Sequence, residues 1–167
     1  MRRPVRQLGF TLIELVLVLL IIAVCASIAA PTLSGFARAR ALPNTATDLV
    51  TTARWCRVQS LSDGVEYRLN LDKQGGKWWV TKDDGTGSNF TSVSPELGQE
   101  RPLPEGVAIA NIEFQTLPAQ GDVPYVSFRP GGKTDVARIT LSYQSQSVVV
   151  ACDTPLGSFH VVETVTQ

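Results

Sequence analysis

The chain has 167 residues, of which 44% are hydrophobic and 18% charged, a composition that excludes a disordered tail and fits one compact domain with one extra element. Basic and acidic residues number 15 each, but Arg2, Arg3 and Arg6 precede the first hydrophobic run, and the rest of the chain has 12 basic and 15 acidic residues, a net charge of −3. That sign excludes a global attraction to nucleic acid, so such binding would need a local basic patch.

The first element in chain order is a long apolar segment. No residue from Leu15 to Ala30 is charged and only Ser27 is polar; counted from Phe10, the run has 21 residues. As a helix with a rise of about 1.5 Å per residue it would be about 31 Å long, which matches the roughly 30 Å hydrocarbon core of a bilayer. We therefore expect a membrane-spanning helix over residues 10–30.

Basic residues before an apolar run are also typical of a secretory signal peptide. This run is longer than the roughly 7–15 residues of a signal core and no polar spacer precedes Pro31, although ordinary cleavage after Ala30 stays an alternative. The positive charges before the run predict that the N-terminus stays in the cytoplasm and that the rest of the chain emerges on the periplasmic side.

Glu14 places a carboxylate inside this apolar segment. An acid in a membrane helix costs at least about 2.5–3.5 kcal/mol on insertion scales, so we interpret Glu14 as functional and expect a cationic partner. A position at headgroup depth would lower that cost and need no partner, and position alone leaves both interpretations open.

A short motif surrounds this acid: Gly9-Phe10-Thr11-Leu12-Ile13-Glu14 follows a basic leader and precedes the apolar run. It resembles the type IV prepilin signature. The resemblance implies a leader over residues 1–9, which the prepilin peptidase, a membrane aspartyl peptidase, cuts off between Gly9 and Phe10. It also implies N-methylation of Phe10 and pairing of Glu14 with the Phe10 amine of a neighbouring subunit, since two charges that are costly in lipid would neutralise each other.

Beyond Pro31, apolar residues recur at helical spacing. The stripe consists of Leu42, Ala46, Leu49, Ala53 and Cys56. It predicts an amphipathic helix over residues 31–63 that continues the membrane helix and packs its stripe against a sheet.

The rest of the chain, 64–167, is predicted to be a periplasmic, β-rich head. Alternating apolar residues predict a strand from Val65 to Asp72, and Gly75-Gly76 turns the chain into a strand around Trp78-Trp79-Val80.

Residues 83–106 are rich in Gly, Ser and Pro and predict a surface loop with at most one short strand, at 90–93. Further strands are predicted at 107–114, 125–128, 137–143, 148–152 and 159–162. The fold class is therefore α+β, a long membrane-spanning helix whose C-terminal half packs on an antiparallel sheet.

The second half of the chain carries a second resemblance. The residues concerned are Phe128, Pro130, Gly131, Ile139, Leu141, Val148, Val149, Val150 and Gly157. Their pattern is similar to that of the minor pseudopilin H and FimT-like group, known as the GspH/FimT family. The resemblance implies a structural subunit that primes or caps a filament together with other pilin or pseudopilin subunits. Whether that filament serves type II secretion or a type IV pilus stays open.

A pilus-tip subunit that binds DNA for uptake is the alternative function. DNA-uptake members of this group typically carry arginines after the last glycine turn, whereas here Gly157 is followed by Ser-Phe-His. The alternative would depend on Arg129, Lys133 and Arg138, which can equally be solvated strand and turn ends. DNA is therefore disfavoured as a partner.

Groups for catalysis are scarce, because His160 is the single histidine and no serine lies in a nucleophile-elbow motif. We expect no enzyme, no catalytic residue and no cofactor. The oxygen-rich segment from Asp83 to Asn89 departs from the EF-hand spacing and lacks a closing glutamate, so no metal site is assigned there.

The three cysteines divide between two environments. Cys25 lies in the predicted membrane helix, whereas Cys56 and Cys152 would face the periplasm, where oxidation permits a disulfide. A bridge between them would close a loop of about 95 residues and add up to ~4–5 kcal/mol in the chain-entropy model. The sequence does not fix their separation, so the bridge and two buried thiols both remain open.

Overall fold

The structure, a computed structural model, describes residues 11–93, 98–115 and 123–166, apart from the side chains of 28–39 and 163–166. The predicted leader, 1–9, and the predicted methylation site, Phe10, lie outside the described residues.

A single long helix, α1, spans Leu12–Asp63 and ends within the predicted range. The chain divides into two compact units, one up to Ala39 and one from Arg40 onward, and α1 contributes to both.

In the second unit, one face of α1 is buried against the sheets. The predicted stripe is confirmed, since each member is at most 1% exposed: Leu42, Ala46, Leu49, Ala53 and Cys56. These side chains share one hydrophobic core with residues of the strands. Three polar residues on the same helix are also buried, and two of them satisfy their hydroxyls locally: Thr45 donates to the Ala41 carbonyl at 2.8 Å and Ser60 to that of Arg57 at 2.9 Å.

In the described part of the chain, nine strands follow the helix. They are β1 Tyr67–Asp72, β2 Lys77–Asp83, β3 Phe90–Ser92, β4 Arg101–Pro102, β5 Val107–Phe114, β6 Tyr125–Phe128, β7 Ala137–Tyr143, β8 Gln146–Cys152 and β9 His160–Thr166. All pairings among the described residues are antiparallel, as predicted, and they form two sheets. One sheet has the order β3-β2-β1-β6 with β4 also on β2, and the other has the order β5-β7-β8-β9.

The turn between β1 and β2 shows why two glycines stand there. The amide of Gly75 donates to Asp72 Oδ1 at 2.7 Å, and a Cβ at this position would collide with the same carboxylate. Gly76 has a φ of +59°, which favours a residue without a Cβ. The predicted glycine turn is confirmed.

Most strand predictions are confirmed, and three of them match the observed bounds in full: β5, β6 and β7. The prediction for β8 starts two residues late, because its first residues are polar and pair with polar partners across the hairpin. β9 begins one residue later than predicted and continues to Thr166 through alternating polar residues. β4 was missed, since two residues give no periodicity; Arg101 stacks over the Trp78 ring at 5.0 Å beside that pairing.

Candidate assembly site

The first turn of α1 is organised by Thr11. The backbone N–H of Glu14 donates to both Thr11 Oγ1, at 3.3 Å, and the Thr11 carbonyl, at 3.1 Å. The N–H of Leu15 also donates to the Thr11 carbonyl, at 3.2 Å. Thr11 is therefore the N-cap of the helix, and Glu14 stands as an exposed acid in the first turn, where the helix dipole favours a negative charge.

The residues that follow form an unburied apolar surface. Every side chain from Leu12 to Ser27 is exposed, with the large apolar ones ranging from 45% for Val18 to 82% for Leu12. In the described part of the chain, no helix is both long enough and apolar enough to cross a membrane. The predicted membrane segment, 10–30, includes Phe10 and the side chains of 28–30, which lie outside the described residues.

The second part of α1 holds the C-terminal glycine turn in place. Arg57 donates to the carbonyls of Leu156 and Gly157, both at 2.6 Å, and to Ser158 Oγ at 3.1 Å. Arg54 Nε donates to the Phe159 carbonyl at 3.3 Å, and the Phe159 side chain is buried in the core. The turn at Gly157 is thus fastened to the helix by Arg54 and Arg57.

No role was predicted for Arg54 or Arg57 from the sequence. The sequence did contain a signal for these two residues, because they are cations three residues apart on one helix, on either side of the buried Cys56. Their partners are main-chain carbonyls about 100 residues away, and no sequence pattern identifies such acceptors.

Replacing Arg57 by methionine should lower the free energy of unfolding by about 2–3 kcal/mol, because three hydrogen bonds from a charged donor are lost. Arg138→Met is the matched control. Its partner is Asp153, at 3.2 Å, and both side chains are about half exposed, so less than about 1 kcal/mol should be lost. Denaturant unfolding of the full chain in detergent measures both free energies. A loss for Arg57→Met no larger than that for Arg138→Met would show that the Arg57 contacts stabilise the fold no more than an exposed ion pair does.

The three basic residues behind the DNA alternative are only partly available. Arg129 pairs with Asp135 at 2.9 Å and Arg138 with Asp153 at 3.2 Å, while Lys133 is exposed. Acidic partners offset two of the three charges that would have to neutralise phosphates. This cluster therefore gives DNA binding no support.

In the acidic loop between β2 and β3, the carboxylates accept hydrogen bonds from groups of the same loop. Asp84 accepts hydrogen bonds from the Thr86 hydroxyl at 2.6 Å and the Asn89 amide at 2.9 Å, and Asp83 accepts one from the Gly87 amide at 2.9 Å. The Thr86 hydroxyl bond is the main cause that lowers the pKa of Asp84. Among the described residues, no group of three or more His, Cys, Asp or Glu is placed to hold a metal ion.

His160 lies at the start of β9 and is about half exposed. Its Nε2 is 3.4 Å from Asp153 Oδ2, and its Nδ1 is 3.2 Å from the Ser158 carbonyl. Both ring nitrogens face acceptors rather than a nucleophile, so this constellation offers no catalytic pair.

Cys56 and Cys152 are both fully buried and both carry free thiols in the structure. Burial raises the pKa of Cys56 to about 12 and also raises the pKa of Cys152, whose thiol lies 3.2 Å from the Thr154 carbonyl. Both cysteines belong to the hydrophobic core that α1 shares with the strands, and their disulfide stays a prediction.

Thiol counting tests the predicted bridge. If Cys56 and Cys152 pair in the periplasm, unfolded but unreduced protein should have one alkylatable thiol, that of Cys25, and reduction should raise the number to three. Three alkylatable thiols before reduction would rule the bridge out. Folded protein is no substitute, because burial suppresses the reactivity of both thiols.

The comparisons with known proteins agree with this geometry. A family profile of the prokaryotic N-terminal methylation motif matches residues 5–30, and one of the type II transport protein GspH matches residues 45–154. No curated protein matches the chain.

Two solved structures of the minor pseudopilin EpsH from the type II secretion system of Vibrio cholerae share the fold. One has a TM-score of 0.60 at 9% identity and covers 73% of this chain and 95% of the other; the second has a TM-score of 0.57 at 8% identity and covers 72% and 95%. The family profile covers well over half of the chain, and the helix with its antiparallel sheets matches the pseudopilin fold. The chain therefore belongs to the GspH family of type II transport proteins.

Proposed function

We propose that the protein is a minor pseudopilin of a type II secretion system and is made as a prepilin, cut between Gly9 and Phe10 by the prepilin peptidase and then N-methylated on Phe10. Residues 10–30 anchor it in the inner membrane, with the N-terminus in the cytoplasm and the head in the periplasm. The match of residues 5–30 to the methylation motif and the basic residues before the apolar run support this order of events.

The observation that carries the proposal is the apolar surface of α1 from Leu12 to Ser27. Its side chains are exposed on every side of the helix, whereas an amphipathic helix would bury one face. A continuous apolar surface of this kind marks an interaction with lipid or protein. Lipid supplies that environment before assembly, and the helices of neighbouring subunits supply it in the filament.

Glu14 is the proposed docking residue within that surface. It lies in the first turn of α1, next to Ile13 at 76% and Leu15 at 58% exposure. Near the cytoplasmic membrane face it can be hydrated, whereas among neighbouring helices its charge must be paired. The Phe10 amine of the adjoining subunit is the proposed partner.

The head would prime or cap the filament. Its glycine turn is fastened to α1 by Arg57, and ion pairs within the head join Arg68 to Glu66, Lys77 to Glu100, Arg129 to Asp135 and Arg138 to Asp153. Such a head suits a structural subunit that contacts other pseudopilins.

N-terminal sequencing of protein extracted from membranes tests the proposal. The mature chain should begin at Phe10 and carry a methyl group on its amine. A chain that begins after Ala30, or one that keeps its leader, would overturn the prepilin proposal.

A further inference from the structure

We infer that the head docks onto the head of another pseudopilin through a surface at the C-terminal end of α1, and that the partner presents an apolar centre bordered by carboxylates. This surface, the head patch, consists of Val58, Leu61, Leu156, Arg54, Arg57 and Lys133. The proposal rests on the proposed assembly into a filament, and it adds a second contact to the one at Glu14.

Three segments of the chain meet at the head patch. The N–H of Thr134 donates to the Pro155 carbonyl at 2.7 Å, which joins the turn after β6 to the turn after β8. Arg57 of α1 donates to carbonyls of the second turn. Gly132 of the first turn lies against α1, since a Cβ added there would be 3.4 Å from Leu61 Cδ2. Main-chain contacts therefore hold the patch in one arrangement, as a binding surface requires.

The head patch exposes three large apolar side chains. Val58 is 63% exposed, Leu61 53% and Leu156 64%. The first two are three residues apart on α1 and share one face of it, and the carbonyl of Leu156 accepts from Arg57 of the same helix at 2.6 Å. Single exposed apolar residues are common on soluble domains, whereas a group of them with a polar border is typical of a protein contact.

The border of the head patch is positively charged. Arg54 donates to a main-chain carbonyl, and Arg57 to two carbonyls and Ser158 Oγ, so none of their described acceptors is an acid. Lys133, which follows Gly132, is exposed and takes part in none of the ion pairs in the described part of the chain. A matching partner surface therefore carries negative charge.

The acids closest to this border along the chain are already engaged. Asp135 accepts from Arg129 at 2.9 Å and from the Ser127 N–H at 3.0 Å. Asp63 accepts from the Tyr67 hydroxyl at 2.6 Å. Carboxylates for Arg54, Arg57 and Lys133 would thus have to come from the partner.

The combination of apolar centre and basic border selects among possible occupants. A second copy of this chain docked through the same surface would place Lys133 and Arg57 opposite their own copies, and like charges across an interface are unfavourable. A nucleic acid would satisfy the cations but leave three apolar side chains against its phosphates and sugars. A pseudopilin head with carboxylates around an apolar centre satisfies both parts of the patch.

Site-specific photo-cross-linking of the full chain, in membranes that contain the other pseudopilins of its system, tests the inference. With p-benzoylphenylalanine in place of Val58, the main cross-linked product should contain another pseudopilin. The matched control carries the same group in place of Ala108, which is exposed on β5 and pairs with Ser142, at the end of β7 remote from the turn after β6. Position 108 should give little or none of that product.

Charge reversal at the border tests the chemistry assigned to the partner. Lys133→Glu should lower the yield from position 58 by about fivefold, because an exposed attraction becomes a repulsion. Lys133→Arg keeps the charge and should keep the yield. An unchanged yield with Lys133→Glu would overturn the carboxylates assigned to the partner.

Equal yields from positions 58 and 108 would overturn the inference, and so would a position-58 product that contains only a second copy of this chain, DNA or lipid. The same cross-linker in place of Leu19, in the exposed apolar surface of α1, reports assembly itself. If position 19 gives no product with another pseudopilin, the proposed assembly fails. If position 19 gives that product and position 58 does not, only the docking through the head patch fails.

Discussion

Replacing Glu14 by alanine should leave membrane insertion and leader removal intact and abolish stable association with the other filament subunits. The exposed side chains around Glu14 are apolar, so neighbouring helices that pack there would exclude water from the carboxylate. Under those conditions the incoming Phe10 amine needs its negative partner. Removing one member of a buried ion pair costs about 3–5 kcal/mol, which corresponds to an association at least about a hundredfold weaker.

Two further substitutions separate the effect of the Glu14 charge from the effect of its side-chain length. Glu14→Gln keeps a hydrogen-bond acceptor without the charge and should be partly tolerated. Glu14→Asp keeps the charge but shortens the side chain, so its association with the other subunits should be weaker than an unchanged charge alone would predict. Asp48→Ala is the matched control, because it removes an exposed acid from the second part of the same helix.

Cross-linking between this subunit and its filament partners in membranes gives the measurement. It should score docking on both sides of the subunit, since a subunit at the tip has nothing ahead of it to dock against. Undiminished cross-linking by the alanine variant would show that Glu14 is a hydrated bystander at headgroup depth.

The elements that sequence patterns identify are those in which a single periodicity governs burial. The helix stripe from Leu42 to Cys56 repeats every three to four residues, and β1 alternates strictly, with Tyr67, Leu69 and Leu71 buried. In both cases one face meets the core and the other meets solvent, so the pattern records the environment directly.

Sequence periodicity does not predict how the strands divide into two sheets. That division depends on which strands meet across long separations, as when β1 pairs with β6 rather than with a later strand. The Arg57 contacts have the same character, because their acceptors are main-chain carbonyls that any sequence provides. β4 was missed for a third reason: its two residues are too few to show alternation.

The candidate site likewise contains one part that the sequence predicted and one that it did not. The Gly9 to Glu14 motif is local and specific, and the matched methylation profile covers it. The cap formed by Thr11 was not predicted, although a threonine three residues before a glutamate is a known pattern at helix N-termini.

Replacing Gly9 by aspartate should block leader removal completely, and with it assembly. Cleavage requires the residue before the scissile bond to enter the peptidase, and the family resemblance implies a pocket that accepts glycine. A carboxylate there adds both bulk and a charge that would lose its water without gaining a partner. The protein should accumulate in the membrane with residues 1–9 attached.

Gly131→Asp is the matched control for this change. Gly131 lies in the turn after β6, where an added Cβ meets no atom within 4 Å, so the new side chain starts in open space. That variant should be processed like the wild type.

Gly9→Ala adds only a methyl group and should be cleaved more slowly than the wild type but not blocked. N-terminal sequencing of each membrane-extracted variant reports the outcome. A Gly9→Asp chain that still begins at Phe10 would show that the peptidase does not select for the residue before the scissile bond. A chain that begins after Ala30 would show that an ordinary signal peptidase, which recognises small residues further along the apolar run, removes the segment instead.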